Sequence, residues 1–91
     1  MPRRILMPGG LPIGQPGSSP DIREVPGGLQ DALDMFDELT KGATPVVGST
    51  HPKLFRLPGG GTVGMRPISK TGPPTIDVNI AGIPIRKVKF V

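Results

Sequence analysis

The sequence predicts a small α+β domain, with one N-terminal helix packed on an antiparallel sheet of about four strands and a disordered Pro/Gly-rich segment ahead of both. Three observations predict it. An apolar stripe runs at helical spacing between residues 29 and 39; the apolar period changes to two beyond Gly42; and 14 glycines and 13 prolines in 91 residues show no collagen-like repeat. A chain of this length has room for one domain and a modest core.

From Met1 to Gly28, "MPRRILMPGGLPIGQPGSSPDIREVPGG", Pro, Gly and Ser recur every few residues and no helical or strand period survives. Residues 1–26 therefore read as a linker and residues 27–91 as the domain. Next, "GGLQDALDMFDELTKG" places Leu29, Ala32, Leu33, Phe36 and Leu39 on one helix face. Its charges agree with the macrodipole: Asp31 and Asp34 lie toward the start, Lys41 toward the end, and Gly42 suits the C′ position.

"KLFRL" (53–57) and "GTVGMR" (61–66) flank Pro58-Gly59-Gly60, a hairpin signal. "TIDVNI" (75–80) sets Thr75, Asp77 and Asn79 against Ile76, Val78 and Ile80, so one sheet face packs and the other stays polar. "IPIRKVKFV" (83–91) returns across Ala81-Gly82. Its apolar residues change parity between Ile85 and Val88, which predicts a bulge near Arg86-Lys87.

Composition narrows the chemistry. With no cysteine, a disulfide framework, a Cys-containing zinc site and thiol redox chemistry are excluded. The apolar run after Arg3-Arg4 is only Ile5-Leu6-Met7, too short for a signal-peptide core or for a membrane span of roughly 20 residues. Any export signal then lies elsewhere. A net charge of +4 favours polyanionic partners, and the charge is uneven: from Lys41 onward there are eight Lys or Arg and one acid, Asp77, while residues 21–38 hold the other six acids.

The single histidine, His51, cannot build a His-only metal site, and no paired-carboxylate site, nucleophile elbow or phosphate-binding P-loop is present. No metal or cofactor is expected. What remains is one histidine with cations and hydroxyls: His51, Lys53, Arg56, Arg66, Ser69, Lys70 and Thr75. That inventory suits cleavage of RNA by its own 2′-hydroxyl. The reaction needs a base, an acid, and cations with hydroxyl donors around the phosphorane-like transition state.

Imidazole titrates near neutrality and serves as base or acid. Arg66 can hold two phosphoryl oxygens in its fork, Ser69 and Thr75 can donate to them, and Pro67, Pro73 and Pro74 stiffen the corner between. Lys70, Arg86, Lys87 and Lys89 would steer the RNA backbone, with Arg56 a further substrate-binding cation. Tyrosine and tryptophan are absent, so only His51, Phe55 and Phe90 remain as base-stacking surfaces.

The order of helix, "HPK" turn, Gly-rich hairpin, "VGMRPISKTGPPTIDVNI" and basic "IRKVKFV" resembles the C-terminal toxin domains of polymorphic and contact-dependent growth inhibition systems. Many of these are similar to the barnase, EndoU, colicin and RelE superfamily of metal-independent RNases. The resemblance covers about residues 27–91, and "RPISKTGPPTIDV" (66–78) is its most specific piece.

It implies an endoribonuclease directed at tRNA, carried as part of a larger secreted effector into the cytoplasm of a target bacterium and neutralised one-to-one by a cognate, acidic immunity protein. It also implies active-site positions at His51, Arg66, Ser69 and Thr75, with Lys53 nearby. Two other readings stay open: a non-catalytic basic RNA-binding module, and a structural protein whose basic strands dock an acidic partner.

Overall fold

The computed structural model describes residues 2–48, 53–65 and 72–91. The helix expected from the apolar stripe is α2, Leu29–Leu39. Ala32, Phe36 and Leu39 are buried, Leu33 is partly buried, and Leu29 remains largely exposed. At its start the Gly28 amide donates to the Asp31 carboxylate at 2.9 Å, which satisfies one amide that the first turn would otherwise leave open. At its end Thr40 is the C-cap and its hydroxyl donates to the Phe36 carbonyl at 2.7 Å. Gly42, with φ +76°, therefore sits one residue beyond the C′ position that the sequence suggests.

Strands β4 (Lys53–Arg56), β5 (Thr62–Met65), β6 (Thr75–Asn79) and β7 (Lys87–Phe90) form an antiparallel meander. Alternation places Val63, Met65, Ile76, Val78, Val88 and Phe90 on the face that α2 covers, where all six are buried. Phe55 joins them by meeting Phe36 edge to face at 5.6 Å between ring centroids. The β4–β5 turn needs its glycine at position 61: φ is +84°, and a Cβ there would stand 2.6 Å from the Asn79 carbonyl oxygen. At the parity change, the amides of Arg86 and Lys87 both donate to the Asp21 carbonyl, at 2.8 and 3.3 Å, a two-on-one arrangement of the bulge type.

The N-terminal segment is not a disordered linker. Residues 2–25 form a first helix α1 (Pro2–Leu6), a 3₁₀ turn (Pro8–Gly10) and strands β1 (Gln15–Pro16) and β2 (Ile22–Val25). Leu6 is fully buried in the same core as α2, and Ile13 and Val25 pack against it. Strand β2 lies parallel to β7, pairing Ile22 with Lys87 through Val25 with Phe90.

Arg23 binds this segment together from inside. It is 9% exposed, and its guanidinium donates to the carbonyls of Ile13, Pro20 and Gly14 at 2.8, 3.1 and 3.1 Å. Prolines and glycines here punctuate very short elements whose carbonyls an arginine collects, rather than preventing structure. The radius of gyration, 12.3 Å, matches the roughly 12 Å of a compact chain of this length, with no trailing arm.

Among the described residues the sheet thus has seven strands in the order β1-β2-β7-β6-β5-β4-β3, with β3 at Thr44–Pro45. It is mixed, not purely antiparallel, and two helices accompany it instead of one. Both rims are two-residue strands that contain a proline, Gln15–Pro16 and Thr44–Pro45. Among the described residues no helix is long and apolar enough to cross a membrane.

Candidate nucleic-acid interface

The sheet face turned away from α2 carries the polar residues, and register partners fix its rows, because directly paired residues project to the same side. One row runs Thr75, Lys89, Glu24, Gln15. The next runs Leu54, Gly64, Asp77, Lys87, Ile22. A third joins Thr44, Arg56, Thr62 and Asn79 at the far end. Three of the expected RNA-steering cations, Arg56, Lys87 and Lys89, are therefore on one face.

His51, Arg66, Ser69 and Lys70 lie outside the described residues. The residues bordering them are placed. Lys53, two positions after His51, pairs with Met65, which precedes Arg66; Met65 in turn pairs with Ile76, next to Thr75. Three adjacent strands thus begin or end at the same edge of the molecule.

Two expected roles meet a different geometry. Lys53 shares its row with Met65 and Ile76, the helix-covered side, whereas Thr75 shares its row with Lys89 on the other side. The two do not project to one point from the sheet. Thr75 is also 7% exposed, and its hydroxyl donates to the Pro73 carbonyl at 3.0 Å. That proton braces the Pro73-Pro74 corner instead of standing free for a phosphate. Arg86 is exposed at the bulge.

The aromatic surfaces are also spent. Phe90 is buried on the α2 side, and Phe55 is engaged by Phe36. None of the three phenylalanines lies on the polar face, so that face offers charge and hydrogen bonding but no phenylalanine for base stacking.

The C-terminal half is also less purely basic than its linear charge run suggests. Parallel pairing with β2 brings Glu24 beside Lys89 and Asp21 beside the bulge. The Asp21 carboxyl is held below its usual range, first by the Ser19 hydroxyl, then by its own backbone amide, with Arg86 and Lys87 adding a smaller attraction. Their nearness to β7 comes only from a pairing more than sixty residues apart in the chain. Periodicity gave no signal for it: "IREV" (22–25) runs apolar-polar-polar-apolar and is followed directly by Pro26-Gly27.

A separate groove of about 610 Å³ lies at the opposite end of the sheet, between the β4–β5 and β6–β7 turns and the end of α2. Its floor includes Leu39, Leu57 and Ile83, and Arg3 and Lys41 stand at its rim. Lys41 is already paired with Glu38 at 3.2 Å.

Set against protein-family models, curated proteins and solved structures, the chain matches none. The functional reading therefore rests on the residues themselves.

Proposed function

We propose that the chain is a metal-independent endoribonuclease of the interbacterial toxin class, acting on tRNA. The observation that carries this reading is the pairing of Lys53 with Met65 beside Thr75. It gathers the chain positions bordering "HPK", "MRP" and "PPT" at one edge of three adjacent strands, next to a face bearing Lys87 and Lys89. Charge on that face suits an RNA backbone.

In this mechanism the ribose 2′-oxygen attacks the adjacent phosphorus, its proton passing to a base, while the 5′-oxygen leaves with a proton from an acid. His51 supplies one of these two functions. Arg66 neutralises the equatorial oxygens, and Ser69 donates a hydrogen bond to them. Thr75 acts through the corner it braces. The product ends in a 2′,3′-cyclic phosphate. An acidic immunity protein covering the same cationic face is the corresponding partner, and a larger effector the corresponding carrier.

The test is incubation of the purified protein with total tRNA in EDTA, beside His51→Ala. Cleavage that persists in chelator and disappears in the variant supports the reading; intact tRNA, or activity lost to EDTA, rejects it.

A second reading is favoured by the occupied Thr75 hydroxyl and the opposed side of Lys53: a binding module that holds RNA on the polar face without cutting it. Salt-sensitive binding that survives His51→Ala, with no cleavage by either form, would establish that alternative.

A further inference from the structure

The parallel pairing of β2 with β7 sets carboxylates against the basic run Arg86-Lys87-Val88-Lys89. Glu24 and Lys89 are register partners on the polar face. Asp21 precedes β2, its backbone carbonyl accepts the amides of both Arg86 and Lys87, and those two side chains exert an attraction on its carboxylate. Asp77 stands on the other side of Lys87. Each cation of the run therefore has an acidic neighbour contributed by an adjoining strand or turn.

We propose that Asp21 and Glu24 act as a built-in competitor for phosphates on β7, so that the N-terminal strand sets how tightly this surface holds RNA. A phosphate approaching Lys89 meets the repulsion of Glu24 beside it, and one approaching Arg86 or Lys87 meets that of Asp21. Fewer phosphates are neutralised than the cation count would permit, and fewer counterions are released on binding. The inference rests on the reading of the polar face as an RNA surface. It does not depend on cleavage.

The experiment uses the full chain and a short single-stranded 2′-O-methyl RNA, which lacks the nucleophilic hydroxyl and cannot be cut by 2′-oxygen attack. Binding is titrated over a series of NaCl concentrations for the parent, Glu24→Gln, and the Asp21→Asn/Glu24→Gln pair. Asp37→Asn, at an exposed position of α2, changes the net charge by the same unit as Glu24→Gln but away from β7. Melting curves establish that each variant is folded, and Glu24→Gln alone suffices should the pair be destabilised.

Glu24→Gln is expected to bind about threefold tighter at low salt and the pair about tenfold. The slope of log K against log salt should steepen by about 0.7 for each phosphate newly contacted. Asp37→Asn should stay within about twofold of the parent. If Glu24→Gln gains no more than Asp37→Asn, or the slopes coincide, the competitor does not exist. Parent protein that cleaves tRNA while all variants bind alike overturns this inference and leaves the nuclease reading standing; failure of every form to bind overturns this inference too, and the nuclease reading then stands or falls on tRNA cleavage alone.

Discussion

Arg23 is the parallel register partner of Val88, a fully buried residue, and it points to the same side of the sheet. There three of its N–H groups satisfy carbonyls of the chain that leads into β2. A charged side chain thus closes the very segment that composition would leave loose.

Replacing it tests that closure. Arg23→Met keeps much of the aliphatic stem but strands three carbonyls, so a loss of roughly 3 kcal/mol is expected. Urea denaturation reads it as a lower midpoint at unchanged slope. A change below about 0.5 kcal/mol, the range of an ordinary surface substitution, would mean that the three bonds contribute little.

Leu6 and Leu11 separate a folded N-terminal segment from a linker. Leu6 is 0% exposed and Leu11 72%, so Leu6→Ala should cost about 2–5 kcal/mol and Leu11→Ala about 0.5 or less. Equal, small effects in thermal melts would return residues 1–26 to the status of a connector.

Lys89 and Lys53 distinguish the two faces. Because Lys89 shares the row of Thr75 and Lys53 does not, Lys89→Gln should weaken binding of uncleavable RNA several-fold and flatten its salt slope by about 0.7. Lys53→Gln should change both less. The reverse order would place the RNA against the helix side of β4.

Thr75 offers a test of bracing against direct phosphate contact. Thr75→Ser retains a hydroxyl for the Pro73 carbonyl and should keep most activity and stability, whereas Thr75→Val loses the bond at a cost of about 1 kcal/mol. If Thr75→Val abolishes tRNA cleavage with an unchanged melting temperature, the hydroxyl acts on substrate instead.

Asp21 carries a pH signature. Its folded-state pKa is lowered from 3.8, chiefly by the Ser19 hydroxyl. A depressed carboxyl pKa contributes stability that is present above the unfolded value and is lost as pH falls through the folded one. Asp21→Asn should therefore melt below the parent at pH 6, and the gap should narrow as pH falls below the ordinary carboxylate range. A gap that widens in acid contradicts the assignment.

What was legible in the chain follows local periodicity. The stripe from Ala32 to Leu39 and the alternation from Thr75 to Asn79 each identify an element and its buried side, because the pattern repeats over several residues within one strand or helix. The β2–β7 ladder joins residues 22 and 87 in parallel and leaves no comparable trace, since neither partner's turn chemistry points to the other. The polar face was readable for the same reason as β6. Its charge was not, because Asp21 and Glu24 reach β7 only through that distant pairing. The opposed sides of Lys53 and Thr75 could be read only once the strand register was known.

The two prolines at the rims have a consequence for the chain's behaviour in company. Pro16 and Pro45 each occupy an outermost position of the sheet and present no amide hydrogen to an incoming neighbour. A fold with glycine-rich turns and a small interior is thereby discouraged from templating fibrils at either border when copies crowd together.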